Sequence, residues 1–115
     1  MHPNIPISVG ELLDKISILN IKTQYSNSSY IKKELDDLIL IAKKYNQSYL
    51  TELHQVNQKL WEIEDRLREK EKLQEFDEEF IELARSVYKT NDLRAQIKKE
   101  INEETQSIYQ EIKLY

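Results

Sequence analysis

A chain of 115 residues with 21 acidic and 17 basic side chains and a formal charge of −4 has the length of one domain, able to bury roughly two-thirds of its unfolded surface. The absence of cysteine excludes disulfides and thiolate chemistry and fits cytoplasmic residence, while the mixed, slightly acidic charge argues against nucleic acid as a partner, which requires a basic surface. The longest purely apolar run, Leu38 to Ala42, falls far short of the ~20 residues that cross a bilayer, and the first twenty residues show no secretory signal.

One glycine and two prolines leave few candidates for tight turns and strand corners, so the composition favours an all-α fold. In chain order, "MHPNIPI" places Pro3 and Pro6 where each biases its preceding residue to extended backbone, which makes residues 1–7 an arm. "SVGE" then forms a capping box: Ser8 accepts from the third helical amide and Glu11 reaches back to the Ser8 amide. A first helix follows over about Val9 to Tyr25. It is apolar on more than one face, with Leu12, Ile16 and Leu19 in one stripe and Ile18 and Ile21 outside it. Such a helix needs more than one neighbour, and a homodimer supplies one.

"SNSS" at 26–29 stops the first helix and caps a second over about Tyr30 to Tyr45. After "NQS", Leu50, Leu53, Val56, Leu60, Ile63 and Leu67 recur at helical spacing to about Leu73. Asp77 caps a fourth helix from Glu78 to about Thr105, with Phe76 as a staple onto Ile81 and Glu78 and Glu79 at the positive end of the helix dipole. The tail "QSIYQEIKLY", residues 106–115, reads equally as helix, strand or ordered arm. The third and fourth helices, long and closely connected, are expected to pair as an antiparallel hairpin covered by the first two, giving a four-helix bundle-like single domain.

The fourth helix carries the feature that needs explaining. The arc of Phe80, Ala84 and Val87 continues through Asn91, Arg94, Lys98 and Asn102, and the packed arc of the third helix takes in Asn57 and Glu64. In a hairpin, Asn57 comes level with Asn91 and Arg94, and Glu64 with Tyr88. The first helix adds a polar stripe of Glu11, Lys15 and Lys22. Buried, these groups must be paired. Either they form structural interhelical ion pairs, or they meet a partner chain across a dimer, or they line a cleft for an anionic metabolite such as a nucleotide, phosphosugar or dicarboxylate. The candidate ligand-binding residues under the last reading are Lys15, Asn57, Glu64, Tyr88, Asn91, Arg94, Lys98 and Asn102.

Other chemistry finds little footing. "EEFIE" at Glu78 to Glu82, with Glu62 and Asp65, resembles the magnesium-binding pattern of all-α nucleotide pyrophosphatases, but with the two pairs in reversed order. An acidic first helical turn is the better account. "GELLDKISILN" has a rhythm similar to the first helix of helical chorismate mutases and lacks the arginine expected there. His2 and His54 stand apart, so no metal site is expected, and no cofactor motif is present, Gly10 being the only glycine. Trp61 and the tyrosines read as packing and rim residues.

"PISVGELLDKISILNIK", "VNQKLWEIEDRLREKE" and "FIELARSVYKTNDLRAQIKKEIN", with an ending like "SIYQEIKLY", resemble a family of short uncharacterised proteins from bacteria and their phages, a domain of unknown function. The resemblance covers nearly the whole chain and implies a stand-alone soluble domain, with no reaction or catalytic residue attached. The resulting expectation is an uncharacterised interaction or assembly module, dimeric, with a possible protein partner and no nucleic-acid or membrane partner. The alternative is a small helical enzyme or binding protein for an anionic metabolite.

Overall fold

The computed structural model describes all 115 residues and contains four helices and no strand: α1 Val9–Thr23, α2 Ser29–Ala42, α3 Leu50–Leu73 and α4 Glu78–Glu104. Each helix begins near its sequence signal. Ser8 caps α1 by accepting from the Glu11 amide, Ser28 caps α2 through the Tyr30 amide, and Asp77 caps α4 through the Phe80 amide. These bonds satisfy donors that a helix start otherwise leaves without partners. The Glu11 carboxylate does not close the capping box; it goes to Lys98 on α4 instead. Phe76 packs edge-on against Phe80 at 5.2 Å, so the aromatic contact forms one residue earlier than the expected staple onto Ile81.

α1 is the central element, packed against α2, α3 and α4. Its two apolar faces are therefore covered within one chain. Val9, Leu12, Leu13, Ile16 and Leu19 form the core with Leu35 and Ala42 of α2, Leu53 of α3, and Ile97 and Ile101 of α4. The many-sided burial that suggested a dimer is met by intrachain neighbours. Tyr25, just beyond α1, stacks on Trp61 at 5.1 Å.

Burial is uneven along the two long helices. Every buried residue of α4 lies at or after Thr90, and those of α3 other than Lys70 lie at or before Ile63. α1 and α2 are too short to cover more, so the ends of α3 and α4 nearest their connection pack mainly on each other.

Lys70 is the exception at that connection. Its side chain is only 3% exposed, with its ammonium 2.7 Å from Asp77, 2.8 Å from Glu79 and 3.6 Å from Glu75. Arg66 adds a second bond to Glu79 at 2.8 Å. Hydrogen bonds from Lys70 hold the Asp77 and Glu79 carboxyls below their ordinary values of 3.8 and 4.5. A carboxyl whose folded pKa is depressed stabilises the fold above its unfolded pKa, and that stability is lost as pH falls through the folded value. Melting temperature is therefore expected to drop on acidification below about pH 4.5, and Lys70→Met should flatten that part of the profile. A wild-type and variant profile that stay parallel in thermal melts across that range would sink the assignment.

Beyond α4 the chain has no regular secondary structure. It reverses at Gln106, which has a left-handed backbone (φ 54°). The Ser107 amide donates to the Asn102 carbonyl at 2.8 Å, closing the helix end. The segment then runs back beside α4, bringing Glu111 to Lys98 and Tyr115 to Asp92.

Candidate functional site

The polar stripe converges on one residue of α1. Asp14 is fully buried, and each of its carboxylate oxygens accepts two hydrogen bonds. Asn57 of α3 donates to Oδ1 at 2.8 Å; Arg94 Nε reaches Oδ1 and Oδ2 at 3.1 and 3.0 Å, and Arg94 Nη2 also donates to Oδ2. Asn57 Nδ2 donates in addition to Ser17 Oγ at 3.1 Å. Charge-assisted bonds of this kind, spanning both carboxylate oxygens, combine strength with a fixed orientation.

Lys98 lies one turn further along α4 and completes the network. Its ammonium donates to Glu11 at 2.8 Å, lies 3.3 Å from Glu111 of the tail and 3.9 Å from Asp14. Burial disfavours the Arg94 and Lys98 cations, but their carboxylate partners outweigh it, Asp14 for Arg94 and Glu11 for Lys98. Both pKa values are held above their ordinary range.

Another turn on, Asn102 Oδ1 accepts from the Gly10 amide at 2.7 Å, a direct bond between α1 and α4. A Cβ on Gly10 would lie 2.8 Å from the Lys98 carbonyl oxygen and 2.9 Å from Asn102 Oδ1. The only glycine of the chain is thus a contact point between two helices. The Asn102 Nδ2 group is buried without a hydrogen-bond partner.

Asn57, Arg94 and Lys98 are therefore gathered around Asp14 and Glu11. Asn91 touches the network through a long 3.5 Å contact from Arg94. Lys15 sits at the edge, 3.8 Å from Glu11 with its side chain 47% exposed. Glu64 and Tyr88 do not join. Both are exposed, because α1 ends at Thr23 and nothing covers that stretch of α3 and α4. Asp14, Ser17 and Glu111 were missed by the periodicity reading. For the first two a signal existed: Gly10, Asp14, Ser17 and Ile21 fall on one helical arc, a small and polar face opposite Leu12, Ile16 and Leu19. Glu111 lies in an irregular segment where no periodicity exists to read.

Of two clefts, the one beside the cations is the smaller. The space bordered by Asn91, Arg94, Lys98, Glu111 and Lys113 is about 90 Å³, against roughly 300–1,000 Å³ for ordinary small-molecule sites. A larger cleft of about 480 Å³ lies on the α3 side of α1, edged by Ser17, Asn20, Gln47, Thr51, His54 and Gln55 and by no charged side chain. Glu62, Asp65, Glu78 and Glu82 are all exposed, and no three acidic or histidine side chains converge as metal ligands would. The resemblance to the pyrophosphatase carboxylate pattern thus lacks its geometry. No helix is long and apolar enough to cross a membrane.

A family model matches residues 3–115, and its description is a family of unknown function, DUF6165. The chain belongs to that family. The match spans the arm from Pro3, all four helices and the tail, so the Asp14 network lies wholly inside it. No curated protein and no solved structure matches the chain.

Proposed function

We propose that the chain is a non-catalytic helical interaction or assembly module, a single domain whose α3 and α4 pair as a long antiparallel hairpin and whose inward polar stripe fixes helix register. The observation that carries this reading is the Arg94 guanidinium spanning both oxygens of a fully buried Asp14. The charges that a metabolite would need are already taken. Two cations, Arg94 and Lys98, meet three carboxylates of their own chain, and the remaining space beside them is too small for a nucleotide or phosphosugar. Nor is there a poised acid or base, since both Asp14 oxygens are occupied by donors.

Buried polar groups that pair between helices specify one register over its neighbours. Large apolar side chains left in solvent on α2, including Leu40 and Ile41 at 63% and 53% exposure, support an interaction role, as exposed apolar surface is a feature of contact sites. The test is a thermal-shift panel of nucleotides, phosphosugars and dicarboxylates, with and without magnesium. No shift is expected at concentrations where a specific ligand at a hundredfold excess over Kd would add about 2.7 kcal/mol. A shift that disappears in Arg94→Ala while the unliganded variant melts like the wild type would overturn the reading in favour of metabolite binding.

A further inference from the structure

The larger cleft lies between the second half of α1 and the start of α3, and helical spacing builds it. Ser17 and Asn20 are one turn apart on α1, while Thr51, His54 and Gln55 share one face of α3 at i, i+3 and i+4. Gln47 enters from the α2–α3 connection, where its Nε2 donates to the Ala42 carbonyl at 2.9 Å. Of these six side chains only Gln47 and Ser17 hydrogen-bond within the chain. Ser17 is fully buried at the cleft wall, and its Oγ accepts from Asn57 Nδ2 at 3.1 Å, so its own proton is left without an acceptor. Asn57 is itself bonded to Asp14 at 2.8 Å, which fixes the hydroxyl from behind. A buried hydroxyl donor without a partner is unfavourable, and the cleft is the open side from which a partner can come.

We propose that this cleft binds a small uncharged polyhydroxyl molecule of monosaccharide size. Its volume of about 480 Å³ falls within the roughly 300–1,000 Å³ of ordinary ligand sites. Those sites are mostly apolar, whereas this one offers hydroxyls, amides and an imidazole, with Leu50 as the single apolar wall. Hydroxyls and amides both donate and accept, which matches a ligand whose every hydroxyl does the same. The lining holds no cation or carboxylate to bind an ion and no aromatic ring on which a planar base could stack. A phosphate carried by the ligand would therefore meet no counter-charge here. The inference goes beyond the assembly reading and uses residues other than the buried cations, so an anion panel that fails leaves it standing and its own failure leaves the assembly reading intact.

The experiment follows backbone amide shifts of the full chain by NMR during titration with glucose, ribose and glycerol, and in parallel with the corresponding sugar phosphates and with uridine. The expected result is a saturable, millimolar interaction with at least one of the three uncharged polyols, its shifts centred on residues 17–20 and 47–55. Shifts that rise linearly without saturating for all three overturn the proposal, as do saturable shifts centred elsewhere. A sugar phosphate that binds more tightly than its parent sugar would reveal a cation site instead, and uridine binding more tightly than ribose would reveal a site for the base; either overturns the ligand class. Thr51 and Gln55 are exposed and make no side-chain bond in the chain, so T51V combined with Q55L should melt like the wild type while its affinity falls by about tenfold. Ser17→Ala, which keeps the Asn57–Asp14 bond, should weaken binding as well. Undiminished affinity in both variants would sink the assignment.

Discussion

Arg94→Ala is expected to lower stability by about 3–5 kcal/mol, the range seen when one partner of a buried ion pair is removed. In a domain of this size that corresponds to a fall in melting temperature of roughly 10–20 °C. The loss arises because Asp14 stays behind, fully buried and stripped of the guanidinium that held both its oxygens. Asn57 and the Lys98 ammonium 3.9 Å away do not replace the bonds that the guanidinium makes to both oxygens. The second half of the test is Asp14→Asn combined with Arg94→Ala. The neutral amide keeps an acceptor for Asn57 and removes the stranded charge, so the double variant should recover part of what Arg94→Ala loses. Additive losses in the double-variant cycle would mean that Arg94 stabilises through its hydrocarbon stem alone.

Gly10→Ala is the other substitution with a large expected effect, and its sign runs against intrinsic propensity. Alanine is favoured over glycine inside a helix by about 1 kcal/mol, and Gly10 lies in α1. The added methyl, however, would meet the Lys98 carbonyl oxygen at 2.8 Å, a backbone atom that no side-chain rotation can move away. Overpacking of this kind costs about 1–3 kcal/mol. Parting the two helices would also stretch the bond from the Gly10 amide to Asn102 and disturb the neighbouring Lys98–Glu11 pair. We expect a net loss of about 2 kcal/mol in chemical denaturation. Adding Asn102→Ala should not rescue it, since the carbonyl contact persists. A variant as stable as the wild type would show that α1 and α4 can separate freely at this point.

The two variants also divide the network by mechanism. Arg94→Ala acts through uncompensated charge, which Asp14→Asn relieves. Gly10→Ala acts through steric separation, which Asp14→Asn leaves in place. Comparing the denaturation midpoints of both variants with and without Asp14→Asn therefore distinguishes electrostatic from packing control of the α1–α4 contact.

Much of the fold was legible in the sequence because its signals are local. Ser8 and Asp77 cap helices where the pattern placed them, since a hydroxyl or carboxylate beside free amides acts within one turn. The three-and-four spacing from Leu50 to Leu67 marked α3 for the same reason. The polar character of the α4 stripe was also visible, because the arc from Phe80 to Asn102 depends only on helical geometry. What periodicity could not give was which part of each stripe is covered. Glu64 and Tyr88 share arcs with buried residues yet are exposed, because coverage depends on where α1 and α2 end, not on the helix that carries them.

Tertiary structure alone also decided the partners. The sequence by itself determined an all-helical chain, the near positions of its helix starts and the presence of buried-looking cations, all consequences of backbone capping and side-chain periodicity. It read the many-sided apolar surface of α1 as a demand for a second chain, whereas α2, α3 and α4 meet that demand. It did not single out Asp14, which becomes the centre of the network only when residues 43 and 80 positions away arrive beside it. Nor could it place Glu111, whose position follows from a single left-handed turn at Gln106. Pairing of buried charges is a property of three-dimensional proximity, and proximity between distant segments is set by packing of the whole chain.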